Sequence, residues 1–326
     1  MAFQALLFDA MMRAGRITEL DVVRLHDGLT YDGPVTAEEA KILFAIEQAP
    51  EAKHHAWKGF FIDAITIHAI NDVAPDGYLT AHKADWLIRY GAPQGRILTR
   101  NTYALLTSLV ATARWVPERL VATLFDEVYC AIATGNGPLR ETLNAPPGVI
   151  TERDCDVIRH ILYSAGGKDT PSISRVEVEG LLAIDTASAA GPALPAWTEL
   201  FCKALVDAAL VASGWGGPDR EITLRPEHGD LDPAALCDAL GHGLARYRPL
   251  PPEDQVIAAL ERQRISIITG DDVRAITPAW LADAIQGYQP HSIARQMLVT
   301  ALAEHRARFA PELQHIVMDQ AATRAA

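Results

Sequence analysis

The chain carries one pattern twice, and that limits its folds more than any other feature. The segment ITELDVVRLHDGLTYDGPVTAEEAKILFAIE, beginning at Ile17, resembles ITERDCDVIRHILYSAGGKDTPSISRVEVEGLLAID, beginning at Ile150. The likeness continues from WKGFFIDAITIHAI at Trp57 into WTELFCKALVDAAL at Trp197. Trp57 and Trp197, Phe61 and Phe201, Ala64 and Ala204, Glu39 and Glu177, and Leu43 and Leu181 hold matching places. A repeat of this kind is one supersecondary unit used twice, so the fold must be one that two such units can build. Beyond the third segment of each copy the likeness fades.

The unit is helical. A Ser or Thr at the N-cap accepts from a free backbone N–H, and an acidic residue three positions on reaches back to the cap. Thr18-x-x-Asp21, Thr36-x-x-Glu39, Thr151-x-x-Asp154, Ser174-x-x-Glu177 and Thr269-x-x-Asp272 fit that box. Pro117 and Pro278 suit first helical turns. Phe60, Ile62, Ala64, Ile65, Ile67 and Ala69 give a wide apolar face after Trp57. Strand signals are scarce, and ISII at residues 265–268 is the best candidate. The expected fold is all-α: two diverged copies of a multi-helix bundle with EF-hand-like helix-turn-helix hairpins. Residues 1–140 form the first copy, 149–264 the second and 265–326 a C-terminal helical extension. NGPLRETLNAPPG, residues 136–148, reads as the linker between the halves.

The acidic turn YDGPVTAEE raises the question of calcium. An EF-hand loop needs oxygen ligands at positions 1, 3, 5, 7, 9 and 12, with Gly at 6. With Gly33 at position 6, Asp32 falls at 5, Val35 at 8 and Glu39 at 12, but Gly28 and Thr30 occupy 1 and 3. A second segment, DVAPDGYLTAHK, supplies Asp72, Asp76 and Gly77 but ends on Lys83. In the second copy Lys168 and Pro171 replace ligand and glycine, leaving Glu177. What both copies keep is the capping box, so the leading expectation is no metal and no cofactor. The alternative is a divalent cation held by Asp32, Glu39, Asp72 and Asp76.

The stretch YDGPVTAEEAKILFAI resembles the D-G-x-[VI]-[ST]-x-x-E signature of the TerB-like, tellurite-resistance family of helical bacterial proteins. The likeness covers about 30 residues of the first copy and, more loosely, GGKDTPSISRVEVEGLLAI of the second. That resemblance implies a small helical bundle with a membrane-stress or metal-sensing association, and Asp32 and Glu39 as metal contacts. The duplicated layout is similar to that of acidic helical proteins from bacteria.

Composition narrows the partners. With 29 Lys+Arg against 41 Asp+Glu the net charge is -12, which disfavours nucleic acid and anionic membranes. Hydrophobic residues at 49% and charged residues at 21% are globular proportions. Cysteines at 130, 155, 202 and 237 show no metal spacing and read as free thiols. MAFQALLFDAMMRAG lacks the basic start of a signal peptide, and no apolar run reaches membrane-spanning length. A cytoplasmic protein is expected. The amphipathic stretch FQALLFDAMMRA is expected to pack across the bundle or dock on a partner.

Catalytic motifs are missing from the sequence: no G-x-x-x-x-G-K-[ST], no G-x-G-x-x-G after a strand, no G-x-S-x-G and no H-E-x-x-H. His54 and His55 are adjacent, and neighbours on a helix point about 100° apart, so they read as solvated or core-edge side chains. Trp57 and Trp197 read as core, and Trp115 as a staple in the corner RWVPE. Trp215, in the glycine-rich SGWGGPD, is the candidate for an exposed partner-binding residue. The function these features suggest is a non-enzymatic helical interaction or regulatory protein with a protein partner. The alternatives are a metal-responsive protein, or an enzyme whose groups meet only in three dimensions.

Overall fold

A computed structural model describes residues 15–31, 35–50, 52–70, 77–141, 145–165, 173–226, 233–288 and 292–316. The first half holds β1 (Arg16–Ile17), α1 (Glu19–Tyr31), α2 (Ala37–Gln48), β2 (Ala52–Lys53), α3 (Ala56–Ile70), α4 (Ala81–Gly91), α5 (Arg100–Thr112) and α6 (Glu118–Thr134). The second holds α7 (Glu152–Ala165), α8 (Arg175–Ser188), α9 (Pro195–Ala212), β3 (Trp215–Gly216), α10 (Arg220–Thr223), α11 (Pro233–Leu244) and β4 (Arg248–Pro249). Then come α12 (Pro252–Thr269), α13 (Pro278–Gly287) and α14 (Ile293–Glu304). The described chain is predominantly helical. Its strands are two-residue pairs, β1 with β2 in parallel and β3 with β4 antiparallel.

Four of the five expected caps form. Thr36 and Glu39, and Ser174 and Glu177, close full capping boxes at α2 and α8. Asp21 Oδ2 accepts from the Thr18 amide at 2.9 Å, and Asp154 Oδ2 from the Thr151 amide at 2.8 Å. The fifth expectation fails, and so does the strand at ISII, for one reason. Residues 265–268 continue α12, which ends at Thr269 with Gly270 as a left-handed C-cap at φ 69°. Thr269 Oγ1 donates back to Ile265 O at 2.8 Å, as a residue inside a helix does, instead of starting a new one. Residues 264 and 265 therefore sit side by side within one helix.

The two halves share one core that runs from Ile17 to Ile316. Their main seam is α6 against α8, where a Cβ on Gly180 would lie 2.5 Å from Phe125 Cδ1; only glycine lets the helices approach so closely. The expected linker is tied down as well. Arg140 is buried, with its guanidinium on both oxygens of Asp154 at 2.9 Å and on Ala131 O at 3.1 Å. In the first half α3 packs on α5; in the second, α9 packs on α14. The C-terminal helices thus complete the core around α9. That helix is buried at every position from Trp197 to Leu210, as a helix apolar on all sides must be.

Each half contains a buried indole held by a carboxylate. Trp57 Nε1 donates to Glu47 Oε2 at 2.6 Å, and Trp197 Nε1 to Asp185 Oδ1 at 2.8 Å. Asp185 also accepts from the Tyr288 and Ser292 hydroxyls, which fastens α13 and α14 to the second half. Such pairs satisfy an N–H that burial would otherwise leave unpaired.

Candidate functional site

Helix α9 carries Glu199, Lys203 and Asp207, spaced four apart, on one stripe of an otherwise apolar element. All three are buried. Lys203 Nζ pairs with Glu199 Oε1 at 2.7 Å and donates to Arg225 O at 2.7 Å. Asp207 stands two turns from Glu199. Its Oδ1 accepts from the Tyr247 hydroxyl at 2.6 Å, and its Oδ2 makes no hydrogen bond. Next to it, Arg220 donates to Glu177 Oε1 at 2.6 Å and to Leu162 O at 2.8 Å, both beneath the surface. Glu177, Glu199 and Asp207 therefore lie with Lys203 and Arg220 in one buried group.

Burial pushes the Asp207 carboxyl up to about 6, with Glu177 adding to the rise, while Tyr247, Arg220 and the Ile173 amide pull it back. Burial and then the Asp207 charge push the Tyr247 hydroxyl up, so it keeps its proton and donates. Gly217 makes room for this tyrosine: a Cβ there would lie 2.3 Å from Tyr247 Cε1.

Asp207, Lys203 and Tyr247 help to line a cavity of about 490 Å³ between α9, α10 and the end of α11. Val206, Leu240 and Leu244 give it an apolar wall, and Asp238, His242 and Arg246 stand at its exposed rim. This volume lies in the range of small-molecule sites, and apolar walls with a few fixed polar groups are their usual lining. A smaller hollow of about 220 Å³ lies at the seam of the halves, lined by Glu118, Arg175, Glu179, Asp272, Arg274 and Trp280. There burial, then Asp271, pushes Glu118 up to about 7.

The residues singled out in the sequence lie elsewhere. Asp32, Asp72 and Asp76 fall outside the described residues, as do the N-terminal FQALLFDAMMRA and the Cys237 side chain. Glu39 Oε2 accepts from the Thr36 amide and hydroxyl, both at 2.8 Å, so the cap engages it. Among the described residues no three His, Cys, Asp or Glu side chains converge as metal ligands would. Trp215 is not an exposed loop residue. It is half-buried in β3, donates its Nε1 to Arg308 O at 2.7 Å and has the Arg308 guanidinium over its ring. The glycines around it serve close packing of Tyr247 and Leu250, which pulls the tryptophan in. The His54 and His55 rings touch at a tilt, with centroids 4.0 Å apart and planes at 47°, and His68 is buried with its Nδ1 on Val35 O at 2.6 Å. Trp115 is buried beside Tyr78, as a corner staple should be. Cys130, Cys155 and Cys202 are free thiols. Among the described residues no helix is long and apolar enough to cross a membrane.

Sequence reasoning missed the Asp207 site. Its one visible signal was three charges at helical spacing inside a segment otherwise apolar enough to be core. No family model, no curated protein and no solved structure matches the chain.

Proposed function

We propose that the protein is a ligand-binding regulatory module that takes a small organic monocation into the cavity beside Asp207. The observation that carries the reading is a buried carboxylate among the residues that line the cavity, bonded by the neutral Tyr247 hydroxyl rather than by a basic side chain. A buried carboxylate with no basic side chain bonded to it is costly, and a cationic ligand beside it would offset that charge. Val206, Leu240 and Leu244 suit a hydrocarbon body on the same ligand. The test compares three probes of one shape: benzylamine, benzyl alcohol and benzoate. Benzylamine should raise the Tm of the full chain at neutral pH, and Asp207→Asn should remove the rise. At 100 times the dissociation constant the stabilisation is about 2.7 kcal/mol. A larger rise with benzoate, or one that Asp207→Asn leaves intact, would overturn the assignment.

A second reading has its own support. A carboxyl held at about 6 is near the value of an effective general base at neutral pH. On that reading the cavity turns a bound cationic substrate over, and Asp207→Asn abolishes turnover while leaving some substrate binding.

We also read the chain as two diverged copies with EF-hand-like hairpins. The paired capping boxes and the paired indole–carboxylate bonds support this. The TerB-like, divalent-cation reading rests on the turn before α2, with Glu39 its one described residue.

A further inference from the structure

Helix α12 turns an apolar face outward. Its inner side rests on the protein through Ile265 and Ile268, which pack with Tyr78 and Trp115. Beside that packed edge Val256, Ile257, Leu260 and Ile267 are 59%, 56%, 58% and 77% exposed. Successive residues turn by about 100°, so these four side chains, with Glu253 and Arg264, occupy a single sector roughly 100° wide. Soluble proteins usually keep such a stripe inward, and an outward one marks a contact surface.

The charges on the stripe indicate the occupant. Glu253 stands toward its N-terminal end and Arg264 toward its C-terminal end, with the apolar residues mostly between them. Turn a second α12 end for end about a point between Ala258 and Ala259. Glu253 then faces Arg264 and Ile257 faces Leu260, and symmetry makes each contact twice. The antiparallel arrangement also sets the positive end of one helix dipole beside the negative end of the other. Arg264 has only a surface partner in its own chain, Glu261 at 3.1 Å, so little is lost when it turns to a facing carboxylate.

We infer that α12 is a self-association face, through which two copies of the chain pair antiparallel about a two-fold axis. About that axis Ile257 and Leu260 of each copy make the apolar contact while Val256 lies beside Glu261, which puts the contact at the small end of specific interfaces, at or below ~1,000 Å² in total. The association is therefore reversible, with a dissociation constant on the order of micromolar. It does not depend on the Asp207 cavity.

Sedimentation equilibrium of the full chain from ~1 to ~100 μM brackets such a constant. The mass should climb from 35.4 kDa toward twice that value. Leu260→Asp should hold the chain monomeric with unchanged circular dichroism and Tm, since Leu260 is a surface residue. Glu253→Arg and Arg264→Glu should each weaken association by about tenfold, through like charges meeting at both symmetric contacts. Combining the two should restore it, because the swapped charges face each other again. A non-specific sticky patch would not show that rescue. A chain that stays at 35.4 kDa at every concentration, or a double swap that remains as weak as the single variants, overturns the inference.

Discussion

Asp207 ties the stability of the fold to pH in a direction opposite to that of an ordinary paired carboxylate. Its carboxyl rises from 3.8 to about 6 on folding, chiefly through burial. The gap corresponds to about 3 kcal/mol between the limits of low and high pH. Below the lower value both folded and unfolded chains hold the proton. Above the upper value neither does, and the fold then carries a buried anion. Between them the folded state binds a proton that the unfolded state has released, so stability falls as pH rises through this window. From about pH 8 down to about pH 5 the wild type should gain about 1.4 kcal/mol from this residue alone. Glu118, raised to about 7, acts with the same sign, though solvent reaches enough of it to weaken its share. The clean measurement is therefore a difference. Urea unfolding of wild type and Asp207→Asn across that range should give curves that converge near pH 8 and separate toward pH 5, apart from a constant offset. The offset comes from the new amide, which keeps an acceptor for Tyr247 but leaves its own N–H groups without one. Parallel pH profiles in the two proteins would refute the argument and mean that Asp207 ionises freely in the fold.

Three other perturbations follow from the same geometry. Gly217→Ala would set a Cβ against the Tyr247 ring, costing about 1–3 kcal/mol in urea unfolding and removing any ligand-induced rise in Tm along with the Tyr247–Asp207 bond. Arg140→Ala would leave the Asp154 carboxylate buried without its partner, a loss of about 3–5 kcal/mol that denaturant titration would register. Glu39→Gln should weaken the α2 cap by no more than about 1 kcal/mol, with the same Tm in calcium as in EDTA; a calcium-dependent rise that this variant loses would make the turn a metal site.

Local signals made most of the helices readable. A capping box is a bargain between residues three apart, and Thr18, Thr36, Thr151 and Ser174 all keep it. Thr269-x-x-Asp272 carried the same letters and failed because the residues before it, ISII, were already helical. β-propensity yields to packing, and Ile265 packs from within α12 on Tyr78 and Trp115, which bridge each other in the loops before α4 and α6. Trp215 failed for a related reason. Glycines in a row suggested an open loop, whereas Gly216 and Gly217 are there to admit Leu250 and Tyr247. In both places the deciding contact lies far away along the chain.

The cavity shows why a site can be invisible while its fold is not. Asp207 and Tyr247 are separated by α10 and α11, and neither belongs to a motif. Yet α9 already contained the clue. A helix buried on every side can hold charges only if something distant answers them. Glu199 is answered within the helix by Lys203, and Glu177, across the cluster, by Arg220. Asp207 receives the neutral Tyr247 hydroxyl and the Ile173 amide. That leaves the Asp207 charge without a basic side chain bonded to it, and its burial is what holds the carboxyl near 6. A fold that kept such a group for packing alone would be better served by a leucine. What the buried charge favours is a cation from outside the chain, and the cavity beside it is where that cation can enter.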